Sequence, residues 1–298
     1  MLSAAAAPVI EPASITARKT SICRKFMNAS NNYRLSEHGK TIFASCPNTI
    51  SGWNYANNEE QRRSHDDVRG DNRKMTESSW TEVEILERLR NVESGAVTDA
   101  LVRLGLSGWM DGVLPLGEAN RLVGRARTVK YAPKTGAAKA KTNIYSAIRS
   151  TPEGRILVLD TGCANTWILG ENVAHAAFFQ GLGGIVSDSL ARDASLIREM
   201  DFPVFTRGIS ARPPAIVLVD VDVPVECAGT RVCPGDYLVA DADGVVVIPQ
   251  DFIDAVLVEI EDIEQLERDQ EAALASQAPL EVIEDLLRRK KIRKSGRP

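Results

Sequence analysis

Residues 156–193 decide the fold, and their sequence is ILVLDTGCANTWILGENVAHAAFFQGLGGIVSDSLARD. The continuous apolar run at 156–160 is typical of a buried strand. The alanine-rich segment 171–180 predicts a helix that ends at Gly181, and the apolar run at 184–187 predicts the next short strand. Strands that alternate with helices in this way predict an α/β domain.

The chain before this stretch predicts two helices. Ser79 and Glu82 have the spacing of a capping box, and the apolar residues that follow recur at helical spacing, namely Val83, Leu86 and Leu89. A second helix is predicted over residues 97–104, because Gly105 is typical of a helix end.

Short apolar runs separated by turn residues predict further strands on both sides. Residues 121–131 alternate between apolar and polar side chains, as a half-buried strand does. A short helix is predicted at 194–200, and Asp243-Gly244 predicts a hairpin corner. The remaining predicted strands are 204–206, 215–219, 237–240 and 245–248. A strand-rich stretch after an alternating one predicts a mixed sheet.

The two ends of the chain differ from its centre. Residues 1–74 lack periodicity, and residues 1–36 are basic and poor in acids, as transit peptides are. A disordered extension, or an upstream start before Met75, would look the same. We expect one domain at 75–270 and a helical, basic tail at 271–298.

Composition narrows the class of protein. Hydrophobic residues make up 44% and charged residues 26% of the 298 residues, as in ordinary globular proteins. A net charge of −4 gives no reason to expect a nucleic-acid partner, and no apolar run is long enough to cross a membrane. Five cysteines without CxxC spacing argue against a disulfide framework or zinc site. We expect a cytoplasmic protein, with organellar targeting by the N-terminal segment as the alternative.

Two short motifs carry the candidate chemistry. Gly170-Glu171 lies at a predicted strand-to-helix transition, and Arg192-Asp193 follows the next predicted strand. Twenty residues separate Glu171 from Arg192, which is one helix plus one strand, so both motifs return to the same edge of a sheet. Spacing alone leaves a structural alternative open, in which Arg192 and Asp193 form a surface ion pair at a helix start, with Asp193 as the cap, and Glu171 complements a helix dipole.

Several motifs in order resemble the RraA-like family. They are residues 97–101, 121–126, 169–174, 188–193, 202–208, 234–236 and 240–247. That family includes 4-hydroxy-4-methyl-2-oxoglutarate aldolases, oxaloacetate decarboxylases and a branch that regulates ribonuclease. The resemblance covers about residues 90–270. It implies a swivelling ββα domain with a mixed sheet and flanking helices, assembled as a homotrimer or homohexamer.

The resemblance also implies an enzyme, a class II pyruvate aldolase acting on a small 2-oxo acid. The signature of such aldolases is an acid, twenty residues, then Arg-Asp, and Glu171, Arg192 and Asp193 fill those positions. Asp193 would bind a divalent cation, Mg²⁺ or Mn²⁺ or another, and Glu171 would hold one of its waters. Arg192 would lie beside the oxygen of the pyruvate enolate.

Further residues are assigned by the same resemblance. The backbone N–H groups of Asn172 and Val173 open a helix and would bind the substrate carboxylate. A glutamate from a neighbouring subunit would help catalysis, and Glu267 fits that position best, with Glu264 second. The alternative is a non-catalytic regulator that binds a ribonuclease or another protein.

The chain departs from the family pattern at two places. Ser189 and Leu190 stand where the family often has Gly-Ala, and the loop 161–165 is less glycine-rich than usual. Both changes would reshape the pocket, so they bear on the identity of the substrate more than on the type of reaction.

Overall fold

The computed structural model describes residues 80–134 and 142–293. The predictions for residues 1–74, for Ser79 and for the last five residues lie outside the described residues. Among the described residues, we find no helix with the length and apolar character that a bilayer crossing requires.

Two helices precede the sheet, α1 (Glu82–Leu89) and α2 (Ser94–Arg103). The capping box of α1 is formed by Thr81 and Glu84, so the predicted pair of Ser79 and Glu82 is wrong. The Thr81 N–H donates to the Glu84 carboxylate at 2.8 Å, and the Glu84 N–H donates to the Thr81 hydroxyl at 3.3 Å. Overlapping Ser-x-x-Glu and Thr-x-x-Glu patterns caused the error, because both satisfy the same spacing rule.

The rest of the fold alternates strands and helices before a strand-rich stretch. The helices are α3 (Ile144–Arg149), α4 (Glu171–Gln180), α5 (Ala194–Arg198), α6 (Ile253–Ala275) and α7 (Leu280–Lys290). The strands are β1 (Leu114–Pro115), β2 (Leu122–Pro133), β3 (Ile156–Asp160), β4 (Trp167–Leu169), β5 (Gly184–Ser187), β6 (Leu190–Ala191), β7 (Val204–Thr206), β8 (Ile216–Val221), β9 (Val225–Cys227), β10 (Thr230–Val232), β11 (Tyr237–Asp241) and β12 (Gly244–Ile248).

Eight strands form one sheet, and the sheet is mixed, as predicted. Its order is β1-β7-β5-β3-β2-β11-β12, and β8 pairs with the far end of β2. The contiguous strands β2, β3, β5 and β7 are parallel, whereas β1, β8, β11 and β12 join antiparallel. Two further pairs, β4 with β6 and β9 with β10, lie outside this sheet.

Both faces of the main sheet are covered by apolar side chains. In β3, Leu157 and Leu159 face the cluster that contains α4, whereas Ile156 and Val158 face a second cluster shared with β11 and β12. Alternate residues of a strand point to opposite faces. A strand that is buried on both faces therefore needs the unbroken apolar run seen in the sequence.

The terminal helices form a separate layer against β11 and β12. Apolar residues of α1, α2 and α6 make up its core. Helix α7 joins this layer through Arg103 of α2, which donates from Nε to the Lys290 carbonyl at 2.6 Å. The predicted helical tail is thus packed on the domain, and its last described residues are basic.

Candidate active site

The two signature motifs are neighbours because the short strands before them pair. Strands β4 and β6 are parallel, with Leu169 opposite Ala191, and the Arg192 N–H donates to the Leu169 carbonyl at 3.0 Å. Gly170-Glu171 and Arg192-Asp193 therefore leave adjacent strand ends. The sequence predicted a shared edge and a strand-to-helix transition at Gly170-Glu171, but no bounds were predicted for β4, and β6 was not predicted. The edge belongs to this two-stranded sheet rather than to the main one.

Gly170 lets the two motifs touch. A Cβ atom built on Gly170 would lie 2.6 Å from Asp193 Oδ2, 3.0 Å from Arg192 Cγ and 3.2 Å from Arg192 Nε. The backbone of Gly170 is extended, with φ −145°, so any residue could adopt its conformation. Glycine is needed here for space, because the Arg192 and Asp193 side chains occupy the volume of a methyl group.

The Arg192 guanidinium is supported on two sides. Its Cζ atom lies 4.0 Å from the centroid of the Trp167 ring, which is close for a cation–π contact. Its Nε atom lies 3.3 Å from Asp193 Oδ2, and the two side chains are 47% and 38% exposed. No described residue accepts a hydrogen bond from its Nη atoms, so the outer edge is open to a ligand.

Asp193 has an unusual backbone. Its φ of +55° and ψ of +36° are left-handed, a region that aspartate tolerates better than most residues. It occupies the N-cap position of α5, but its side chain makes no capping hydrogen bond. The capping hydrogen bond of the structural alternative is therefore absent, whereas the half-exposed Arg192–Asp193 ion pair of that alternative is present.

Glu171 begins α4 beside Gly170. Its Oε1 atom lies 3.7 Å from Nδ1 of His175, one helical turn later, and both side chains are largely buried. The Val173 N–H donates to the Gly170 carbonyl at 3.1 Å, so this N–H is already engaged within the first turn. Asn172 is exposed at the helix start.

The loop 161–165 is fixed by a buried aspartate that the sequence did not single out. Asp188 Oδ1 accepts hydrogen bonds from the Thr161 N–H at 2.8 Å and the Thr161 hydroxyl at 2.5 Å, and its Oδ2 accepts from the Cys163 N–H at 2.9 Å. Asp188 is fully buried and lies four residues before Arg192. It ties this loop to the segment that carries the Arg-Asp pair.

Burial also shapes the titration of nearby groups. It raises the pKa of Asp160, and the neighbouring Asp188 charge adds to this, against a hydrogen bond from the Gly162 N–H that lowers it. Burial likewise raises the pKa of the Cys163 thiol, with Asp188 as a further cause. A raised pKa disfavours the thiolate, which is the nucleophilic form of cysteine.

The late-helix glutamates lie in another layer of the same chain. Glu267 Oε1 contacts Lys290 Nζ at 2.7 Å, and Glu264 Oε2 contacts Arg88 Nη2 at 2.6 Å. Both residues belong to α6, which packs on α2. The structure does not bring either glutamate to Arg192 within one chain.

The donor set around Gly170 fits a hydrated divalent cation. Mg²⁺ binds through one or two carboxylates and keeps several waters, and Asp193 and Glu171 supply two carboxylates beside a glycine with no side chain. No group of three or more His, Cys, Asp or Glu side chains in residues 80–134 and 142–293 could hold a metal. A zinc-type cage is therefore absent from those residues.

Trp167 is the site residue that motif reasoning missed. It is one of four tryptophans in a chain with 5% aromatic residues, and it stands three positions before Gly170. The signal available in the sequence was a large aromatic residue so close to the motif. Asp188 opens the family motif at 188–193, but the sequence assigned it no role, because an acid at the end of a buried strand is also ordinary turn chemistry.

Residues 94–247, more than half of the chain, match the model of the RraA-like family, described as Aldolase/RraA. A Thermus thermophilus protein named 4-hydroxy-4-methyl-2-oxoglutarate aldolase is 29% identical over 138 residues, which are 45% of this chain and 79% of that protein. Protein DlpA of Legionella pneumophila is 29% identical over 200 residues, which are 66% of this chain but only 32% of DlpA.

Solved structures agree on the fold. The crystal structure of Streptomyces coelicolor RraAS2, described as an unusual member of the RNase ES inhibitor RraA protein family, superposes with a TM-score of 0.59 at 27% identity. The match covers 65% of this chain and 99% of RraAS2. With the family model matched over the described domain, the chain belongs to the RraA-like family.

Proposed function

We propose that this protein is a divalent-metal-dependent lyase. It cleaves 4-hydroxy-2-oxo diacids of the 4-hydroxy-4-methyl-2-oxoglutarate type into pyruvate and a second oxo acid, and it also decarboxylates oxaloacetate. The observation that carries the proposal is the close approach of Arg192 and Asp193 to Gly170, the residue before Glu171, together with the half-exposed side chain of Arg192. A relative named for this aldolase activity supports the choice of substrate class.

The reaction sets the demand on the site. The bond between C3 and C4 breaks, the 4-hydroxyl loses its proton and becomes a carbonyl, and the bonding electrons move to the C2 oxygen as an enolate. In oxaloacetate the same bond breaks with loss of CO₂ and gives the same enolate. Protonation of the enolate at C3 then gives pyruvate. Both reactions need a group that stabilises negative charge on the C2 oxygen.

Arg192 meets this demand. Its Nη edge donates charge-assisted hydrogen bonds to an oxyanion, and those bonds strengthen as charge develops. Asp193 and Glu171 would hold the divalent cation, which when bound supplies Lewis-acid polarisation of the substrate's keto and carboxylate oxygens. The first turn of α4, with Asn172 exposed, binds the substrate carboxylate by its backbone N–H and helix dipole.

The proton of the 4-hydroxyl needs an acceptor, and we assign that role to a water positioned by Glu171. Glu267 of a neighbouring copy in a homotrimer or homohexamer would help to hold this water, with Glu264 as the second candidate. Within one chain Glu267 pairs with Lys290. The assignment predicts that Glu267→Gln lowers turnover. Mixing Glu267→Gln with Arg192→Ala chains should restore part of the activity, because the mixed interface contains intact sites.

The test is an assay of pyruvate release from 4-hydroxy-4-methyl-2-oxoglutarate and from oxaloacetate, with Mg²⁺ and with EDTA. We expect release with Mg²⁺ only, and a loss of a hundredfold or more in Arg192→Ala, as for removal of an oxyanion donor. The matched control is Arg149→Ala, an exposed arginine at the end of α3, which should keep wild-type rates.

A second candidate is a non-catalytic protein that binds a ribonuclease. The likeness to RraAS2 favours it, since RraAS2 is described as a member of a family of RNase inhibitors. Absence of pyruvate from every substrate, in a folded protein with Mg²⁺, would favour this candidate over the lyase.

A further inference from the structure

We propose that Trp167 is a positioning residue, which holds the Arg192 guanidinium flat and so sets how the substrate approaches it. The inference rests on the proposed function of Arg192. Its starting point is the distance of 4.0 Å between the Arg192 Cζ atom and the centroid of the Trp167 ring. Trp167 itself is not assigned a contact with any reacting atom.

A guanidinium group offers a ligand two faces and its N–H edges. Trp167 covers one face. On the Nε side, Asp193 Oδ2 lies 3.3 Å from the Arg192 Nε atom. The backbone of Gly170 also approaches this side, because a Cβ built on Gly170 would lie 3.0 Å from Arg192 Cγ and 3.2 Å from its Nε. No hydrogen bond or ion pair joins the Nη atoms to another described residue, and the side chain is 47% exposed, so the edge formed by the two Nη atoms can donate to a ligand.

This edge selects the shape of the ligand. Two Nη donors in the guanidinium plane match two oxygens that lie in one plane, as in the carboxylate and enolate oxygens of a 2-oxo acid. Because the ring blocks one face, a ligand that stacks there is excluded. We therefore infer a preference for planar O–C–C–O units over ligands with one oxygen.

Trp167 can serve as a platform because its own backbone is fixed. Its N–H donates to the Arg212 carbonyl at 3.1 Å, and the preceding residue, Thr166, accepts from the Leu190 N–H at 3.2 Å. Its ring is only partly buried. The side chain therefore stands at the wall of the site rather than in the core, and it can be replaced without opening a core cavity.

Arg192 needs such a platform. About half of its side chain is exposed, and its one carboxylate contact in the described chain, at 3.3 Å, is longer than a good charge-assisted hydrogen bond. A long side chain held so loosely samples several rotamers. Stacking on a rigid ring reduces that freedom and pre-organises the donors before the enolate forms.

The test compares Trp167→Tyr, Trp167→Phe and Trp167→Leu in the pyruvate assay with Mg²⁺. Cation–π attraction is strongest for tryptophan and absent for leucine. We expect kcat to fall in the order Trp, then Tyr and Phe, then Leu, with a loss of about tenfold in Trp167→Leu and little change in KM. Trp109→Leu is the matched control, since Trp109 is a partly exposed tryptophan that bridges to strand β12.

A double variant separates positioning from general damage. If Trp167 acts through Arg192, then Trp167→Leu should cost no further activity in an Arg192→Ala background, so the two losses are not additive. Additive losses, or equal losses for the Phe and Leu variants, would overturn the inference. A wild type that releases no pyruvate would overturn the proposed function and this inference together, whereas an active wild type that tolerates Trp167→Leu would overturn this inference alone.

Discussion

Two arginines of this protein, Arg103 and Arg192, have opposite surroundings. The Arg103 side chain is 1% exposed and contacts Glu259 at 3.0 Å and Asp262 at 2.8 Å. It also donates to the Lys290 and Arg289 carbonyls at the end of α7. Arg192 is 47% exposed and meets one carboxylate at 3.3 Å.

The difference is one of unused hydrogen-bond capacity. Arg103 has donors from all three of its nitrogens engaged, so it joins α2, α6 and α7 and has little left for a ligand. Arg192 keeps its Nη edge free among the described residues. An exposed ion pair contributes little to stability, because ordering its two side chains costs entropy. We therefore assign a role in stability to Arg103 and a role in chemistry to Arg192.

The largest expected effect is on stability at Arg103. Arg103→Met removes the guanidinium that contacts the carboxylates of Glu259 and Asp262, and removing one partner of a buried ion pair typically costs about 3–5 kcal/mol. The measurement is urea unfolding. Arg149→Met, at an exposed position, is the control, and its free energy of unfolding should differ from that of wild type by less than about 0.5 kcal/mol. An Arg103→Met protein as stable as wild type would show that the pair is not a stabilising element.

The next effect is on activity at Arg192. Arg192→Lys keeps the charge but loses the planar fork and the stacked face, so we expect kcat to fall about a hundredfold, near 2.7 kcal/mol. Its urea midpoint should match wild type. Retained turnover in Arg192→Lys would mean that a point charge suffices for catalysis. The proposed chemical role of the Arg192 guanidinium would then be wrong.

The substitution Gly170→Ala adds one methyl group beside Arg192 and Asp193, and it tests whether their close approach to Gly170 matters for activity. In Gly170→Ala the new Cβ would lie 2.6 Å from Asp193 Oδ2 and 3.0 Å from Arg192 Cγ, so both side chains must shift. We expect kcat to drop about tenfold (~1.4 kcal/mol) and the unfolding free energy to change by less than about 1 kcal/mol. Equal activity in the two proteins would show that the close approach has no catalytic value.

The smallest expected effect is the pH dependence due to Asp160. Burial raises the pKa of this carboxyl above its ordinary value of 3.8, so the folded state binds the proton more tightly than the unfolded state. The contribution of Asp160 to stability therefore falls as pH rises from 3.8 through the raised pKa, and the loss persists at neutral pH. The free energy of unfolding of Asp160→Asn, relative to that of wild type, should therefore be higher at pH 7 than at pH 4.

Urea unfolding at the two pH values measures this, with exposed Asp201→Asn as the control. A relative stability of Asp160→Asn that declines between pH 4 and pH 7 would reverse the sign and contradict a raised pKa at this carboxyl.

The long elements could be predicted from the sequence. Helix α4 spans 171–180 and strand β3 spans 156–160 as predicted, because a complete apolar run or helix period identifies them. The Gly181 helix end is confirmed by its left-handed conformation, φ +81°. Helix α2 begins three residues before its predicted start, because Asp241 accepts from the Ser94 N–H and hydroxyl, a contact 147 residues away in sequence.

The short elements could not be predicted. Strands β4 and β6 have three and two residues, too few for any period to appear, and they exist because they pair with each other. The same pairing positions Gly170 and Arg192. The motif spacing therefore predicted that the two motifs would leave one sheet edge, but the contacts that Trp167 and Asp188 make there are not encoded by any local pattern.

The central claim is that Arg192 and a divalent cation together hold the enolate of a 2-oxo acid. Calorimetric titration with oxalate, a planar mimic of that enolate, tests it most directly in wild type and Arg192→Ala, each with Mg²⁺ or EDTA. We predict that oxalate binds wild type with Mg²⁺, and that removing either Mg²⁺ or the guanidinium weakens binding at least tenfold. Oxalate affinity that is unchanged by both removals would contradict the claim.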